Sequence, residues 1–161
     1  SMNYNRVGSV LIAAFISSII SGALWAKMLS ISTALAGISS IAVGIFIGLS
    51  ILLIGRTRKI SYGLIASTYA IIGLTFGKFL DVRWNTFQRT QRYLMNQYQI
   101  SAEQAEPMAQ AQLGGYSTWE LMADQTTYWD ILLYAAAAYF AFRIVFVRFL
   151  HNVIQTVEEE D

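Results

Sequence analysis

Residues 60–79 read ISYGLIASTYAIIGLTFGKF, a run of 20 residues with a single charge, Lys78. At 1.5 Å per residue such a run makes about 30 Å of helix, the thickness of a bilayer's hydrocarbon core. Within it Gly63, Ala66, Ala70, Gly73 and Gly77 recur at spacings of three and four, which places all five on one helical seam. Lipid tails are as apolar as the helix, so helices associate in a membrane by close backbone approach, and a seam of small residues permits it. The stretch reads as a transmembrane helix with one packing seam.

The pattern repeats outward from it. The basic turn GRTRK at 55–59 precedes the run, and before that turn lies a second span at about 33–54, whose Gly44 and Gly48 form a G-x-x-x-G extended backward by Ser40 and Gly37. The first span, at about 7–26, reads VGSVLIAAFISSIISGALWA and carries Ser17, Ser18, Ser21 and Gly22. Trp25 and Lys27 read as the interface anchors that close it, followed by a short connection at 28–32. Ser17, Ser18, Ser21, Thr68 and Thr75 read as interhelical hydrogen-bonders. C-terminal to the run the chain is polar and glutamine-rich from 81 to 127, and a fourth span follows at about 128–150, with alanines at 135–138. The expected fold is all-α: a single membrane domain over 1–161, forming an integral membrane four-helix bundle with a small extramembrane helical cap between helices 3 and 4. Helices 2 and 3 would form an antiparallel hairpin.

Composition agrees. Fifty-five per cent of the residues are apolar and 13% charged, where a soluble domain of this size carries about a quarter charged. Eleven basic residues against 10 acidic leave no basic excess, so no nucleic-acid partner is expected. There is no cysteine and one histidine, His151, which excludes a disulfide framework and a thiolate metal site. Ser1 ahead of Met2 reads as the remnant of a cleaved tag, and the first span as a retained helix, because Leu24 stands where a signal-peptidase site needs a small residue.

The segment at 81–127 reads as compact and helical. An amphipathic face at 83–99, with Trp84, Phe87, Leu94, Met95 and Tyr98 on one side, prolongs the third helix. Ser101 with Gln104, and Ser117 with Glu120, have capping-box spacing. Pro107 suits a helix's first turn, so a short helix is expected from about 107 to 113, ending at Gly114-Gly115. The aromatics of this segment either lay it on the bilayer surface or line a recognition surface.

Orientation follows from the basic turn at 55–59. Arg6, Arg143, Arg148 and His151 fall on its side of the membrane, so both termini are expected in the cytoplasm.

The layout, with a large segment between the third and fourth spans, is similar to that of tetraspanins. Those ectodomains rely on paired cysteines, and this chain has none. ISGALW at 20–25, GISSIAVGIFIGLSI at 37–51, GRTRK, YGLIASTYAIIGLTFGKFL at 62–80 and DILLYAAAAYFAFRI at 130–144 together resemble a group of small bacterial four-span inner-membrane proteins of uncharacterised function. That resemblance implies four spans in the bacterial inner (cytoplasmic) membrane, and it brings no activity or site residues with it.

No nucleophile with a base, carboxylate pair or metal set is legible. No acidic residue falls in the first three spans, and Asp130 stands at the start of the fourth, where a carboxylate suits a helix N-terminus. No catalytic residue, cofactor or metal is expected. The functional expectation is a non-enzymatic accessory or scaffold subunit that binds another membrane protein or itself. The alternative is a small homo-oligomeric channel or transporter. Arg143, Trp84 and Trp119 are the candidate ligand or partner contacts, and Gly44, Gly48, Gly63, Ala66, Ala70, Gly73 and Gly77 the packing residues. Arg143 either snorkels to the interface or binds an anion, and one G-x-x-x-G face is open to a homodimer.

Overall fold

The computed structural model describes residues 4–56, 59–146, 156 and 159, and every regular element among them is an α-helix. They are α1 (Tyr4–Ile31), α2 (Thr33–Gly55), α3 (Ile60–Tyr98), α4 (Ala102–Leu113), α5 (Thr118–Gln125) and α6 (Tyr128–Val145). α1, α2, α3 and α6 are each long and apolar enough to cross a membrane. The expected end of the fourth span, 147–150, and His151 lie outside the described residues.

The α1–α2 connection is shorter than expected. α1 continues to Ile31, and Ser32 alone separates the helices, its N–H donating to Met28 O at 3.1 Å and its carbonyl accepting from Ala36 N at 3.0 Å. Neither glycine nor proline interrupts 28–32, so nothing local stops the helix before the extended Ser32 (φ −158°). α2 ends where Arg56 turns left-handed (φ 56°) and donates its N–H to Leu52 O.

α1 packs on α2 and α3, and α6 packs on the same two helices from another side. Their faces close at backbone contact. A Cβ added to Gly77 would stand 2.5 Å from Gly22 O of α1, and one added to Gly73 3.0 Å from Ser18 O. A Cβ on Gly44 would collide with Ala137 O of α6, and one on Gly48 with Ile144 and with Ala141 O. Gly63 is covered by the rings of Phe142 and Phe146 of α6. The five-residue seam of α3 is therefore shared: its C-terminal glycines face α1 and its N-terminal glycine faces α6, with Ala66 and Ala70 fully buried between.

Trp25 is not an interface anchor. It is 1% exposed, its indole N–H donates to Ala36 O of α2 at 2.8 Å, and its ring meets Tyr134 of α6 edge-on at 6.4 Å. The bond to Ala36 satisfies the indole N–H, and this lets the largest side chain in the protein sit in the core. The hydroxyls also differ from expectation. Ser17, Ser18, Ser21, Thr68 and Thr75 each donate to a carbonyl three or four residues back in their own helix, the nearest acceptor in apolar surroundings. Thr75 in addition engages Tyr134. That bond joins α3 to α6 as expected for Thr75, and Ser67 also donates across this seam, to Ala138 O of α6 at 2.9 Å.

α3 runs unbroken for 39 residues, well beyond its apolar part. Leu94 there packs on Ala105 and Ala109 of α4, with Phe87, Met95 and Ile100 around them. Trp84 and Tyr98, assigned to this same face, are exposed instead, because α4 covers only one side of α3. α4 starts at Ala102 under a complete Ser101–Gln104 capping box, and Pro107 sits inside the helix rather than in its first turn. The box nucleates the helix upstream of the proline. The carbonyl of Glu103 that Pro107 cannot serve belongs to an exposed residue, where water replaces the lost bond. The Ser117–Glu120 box opens α5 as expected, and Thr127 with Asp130 forms a third at α6.

Backbone contact at the seams makes a prediction with two signs. Gly44→Ala is expected to cost about 1–3 kcal/mol through overpacking against Ala137. Gly8→Ala, with nothing within 4 Å of the new methyl, should be neutral or gain up to about 1 kcal/mol from helix propensity. Thermal unfolding in detergent reads both, and Gly73→Leu should lower the midpoint further. Equal shifts for Gly44→Ala and Gly8→Ala would contradict the packing described.

Candidate functional site

The densest polar chemistry among the described residues lies where the apolar part of α3 ends. Lys78, Asp81, Asn85 and Arg89 follow one another at spacings of three, four and four, so one stripe of α3 carries them all. Lys78 is 9% exposed and Asp81 1%. These two charges close the apolar run of α3, and both are enclosed by neighbouring helices.

Each has partners. Asp81 accepts from Asn85 Nδ2 at 3.0 Å and from Arg89 Nη1 at 3.0 Å, while Arg89 Nη2 closes a second, shorter bond to the other carboxylate oxygen. The guanidinium fork thus binds both oxygens, the strongest common geometry for this pair. Arg89 also reaches Leu29 O, near the end of α1, at 3.5 Å. Lys78 Nζ lies 3.5 Å from Asp130 Oδ2 in the first turn of α6, and the same oxygen accepts from Thr127 N at 3.0 Å and Thr127 Oγ1 at 3.3 Å. The stripe therefore fastens α3 to the end of α1 and to the start of α6.

Its chemistry is that of a clamp. Both carboxylates bond a cation and further backbone or side-chain donors. A charge removed from water by burial is tolerated only when paired in this way. No group of three or more metal-ligating side chains is present among the described residues. One turn on, Gln125 of α5 donates to Thr86 Oγ1 of α3 at 3.3 Å, tying α5 down beside the same stripe.

The residues singled out from sequence fall elsewhere. Arg143 is exposed in the last turn of α6, 13 residues beyond Asp130 and so about 20 Å along the helix from the clamp. Trp84 is 63% exposed and Trp119 65%. The Trp119 ring lies 5.3 Å from that of Phe79 and borders an apolar groove of about 430 Å³ along Ile71, Ile72, Thr75, Phe76 and Phe79. The structure thus places both tryptophans near the clamp end of α3, with Arg143 far from either. The stripe itself was legible in the spacing of 78, 81, 85 and 89; Asp130, 52 residues away from Lys78, was not.

No protein-family model, curated protein or solved structure matches the chain.

Removing one member of this part-buried pair should cost more than its separate contacts predict. Lys78→Met or Asp130→Asn alone is expected to destabilise by about 1–3 kcal/mol, since each leaves a largely enclosed charge without its partner, and the double variant should lose less than the sum of the two. A double-mutant cycle on unfolding in detergent measures the coupling, and additive losses would dismiss the clamp. Arg143→Lys should leave the unfolding midpoint unchanged, because an exposed terminal-turn cation makes no use of a planar fork.

Proposed function

We propose that the chain is a non-enzymatic multi-pass membrane protein, a four-helix bundle whose segment 81–127, the far part of α3 with α4 and α5, forms a helical cap outside the bilayer. On this reading it serves as an accessory or scaffold subunit that binds another membrane protein. The resemblance to small bacterial inner-membrane proteins supports the cytoplasmic membrane as its location, with the basic turn at 55–59 and both termini in the cytoplasm.

The observation that carries the reading is how the cap spends its aromatics. α4 covers Leu94 and its neighbours with two alanines, yet Trp84, Tyr93, Tyr98, Tyr116 and Trp119 remain exposed. Aromatic anchors of this kind concentrate at protein interfaces and at bilayer surfaces. Inside the bundle the opposite holds. Gly22, Gly44, Gly48, Gly63, Gly73 and Gly77 all meet another helix of the same chain, so these faces are spent on internal packing and self-association through a G-x-x-x-G is disfavoured. The clamp's carboxylates are likewise engaged, which supports a binding role over a catalytic one.

Affinity purification from native membranes tests the proposal. A defined membrane protein should co-purify with the wild-type chain and be lost from a Trp84→Ala/Trp119→Ala variant whose unfolding midpoint is unchanged. A ring-like homo-oligomer that conducts ions or solutes in liposomes would instead establish the channel alternative. A monomer with neither partner nor flux would end both.

A further inference from the structure

The apolar groove on α3 ends at the cap. Ile71, Ile72, Thr75, Phe76 and Phe79 line its volume of about 430 Å³, and Trp119 of α5 closes the cap end. The Thr75 hydroxyl is satisfied, donating to Ile71 O at 2.8 Å and engaging Tyr134, so the groove offers an occupant apolar contact only. From residue 71 to residue 79 it runs about 12 Å along the helix, which fits within the hydrocarbon of one bilayer leaflet.

A cation stands one turn beyond the groove. Arg83 follows Ile72, Phe76 and Phe79 at spacings of four, three and four, so it shares their stripe of α3. Two contacts of α5 bracket its level, Trp119 meeting the Phe79 ring at 5.3 Å and Gln125 donating to Thr86 Oγ1 at 3.3 Å. Arg83 is exposed and, among the described residues, has neither a hydrogen bond nor an ion pair. Lys78 and Arg89, on the same helix, are bound to Asp130 and Asp81. The carboxylates of α5 are placed otherwise: Glu120 accepts from Ser117 N, and Glu120 and Asp124 border a separate recess with Leu113 and Tyr116. The acidic run at 158–161 comes after the other end of α6, where Val145 is about 22 Å along that helix from Asp130. With the groove in hydrocarbon, Arg83 stands about 6 Å beyond Phe79, at headgroup level.

We infer that the α3–α5 groove is a binding site for an anionic phospholipid, an acyl chain lying along Ile72 and Phe76 beneath Trp119 and the phosphate at Arg83. The inference rests on the cap standing outside the bilayer and not on a partner protein. A guanidinium with no carboxylate of its own, set at headgroup depth over an apolar furrow, is complementary to a phosphate joined to an acyl chain. One cation so placed contributes about fivefold in affinity.

The experiment uses the full chain in a neutral detergent, with phosphatidylglycerol or phosphatidylcholine added, read by native mass spectrometry and by thermal unfolding. Phosphatidylglycerol should be retained one per chain and raise the unfolding midpoint, and phosphatidylcholine should do neither. Arg83→Gln should weaken retention about fivefold, and Arg83→Lys, which keeps the charge, should restore most of it. Arg92→Gln is the control: it removes an exposed cation nine residues on, on the opposite face of α3, and should leave retention unchanged. Ile72→Trp, which fills the groove from its exposed side, should abolish retention. Because the two arginines are exposed, a folding defect in Ile72→Trp does not blunt the test. Equal retention of both lipids, retention of neither, or equal effects of Arg83→Gln and Arg92→Gln overturns the assignment. A dimer that Ile72→Trp converts to monomer also overturns it, and shows that a second copy fills the groove. Retention is read on the purified chain, so its failure leaves the partner-binding reading standing.

Discussion

Contact between backbones, made where glycine removes the side chain, is the interaction on which the remaining structure depends. Burying leucine against leucine gains little when the surroundings are already apolar, so stability must come from dispersion at short range and from polar bonds that close between helices. Gly22 against Gly73 and Gly77, and Gly44 against Ala137, bring α1 to α3 and α2 to α6 near the limit of approach. On the two remaining seams, Trp25 of α1 bonds Ala36 O of α2 and Ser67 of α3 bonds Ala138 O of α6. Both bonds need the helices in contact before they can form, so they report on the packing and reinforce it.

The clamp is the second tier. It stands where α3 outlasts its neighbours, at the level where α1 ends and α6 begins, and it supplies there the cohesion that glycine seams supply lower down. Lys78 and Asp81 project to different partners from one stripe, so α3 becomes the post to which both other helices are tied. The glycine seams act over whole helical faces, whereas the clamp acts at a point. Loss of a single clamp residue is correspondingly sharper than loss of a single methyl-sized contact.

The sequence disclosed elements that depend on local chemistry. Four apolar runs bounded by charge, the Ser101 and Ser117 capping boxes and the continuation of α3 past its apolar part all follow from neighbours within one or two turns. What it concealed depended on which helix stands opposite. Trp25 beside Lys27 looks like an interface pair because the acceptor that draws it inward, Ala36, belongs to the next helix. Lys78 and Asp81 close the apolar run in sequence, and their burial depends on α6 and α1, which no local pattern names. The division of the α3 seam was hidden for a geometric reason. Residues spaced three and four apart drift about 20° per heptad on a straight helix, so Gly63 and Gly77, two heptads apart, point about 40° away from each other. That divergence lets Gly63 meet α6 while Gly77 meets α1. Pro107 misled because a proline's preference for the first turn yields when a capping box has already started the helix.

The unbroken length of α3 has a mechanical consequence. About half of its 39 residues belong to the apolar run and half lie beyond it, and no glycine or proline follows Gly77 before the helix ends at Tyr98. Such a helix transmits rotation as a lever. If α3 pivots where the apolar run stops, each 10° of tilt sweeps its far end, and α4 packed upon it, through about 5 Å. Membrane helices change tilt as the bilayer thickens or thins around them. Were α3 to tilt at that level, Leu94 and the alanines of α4 packed on it would travel with its far end, about the clamp at Lys78 and Asp81.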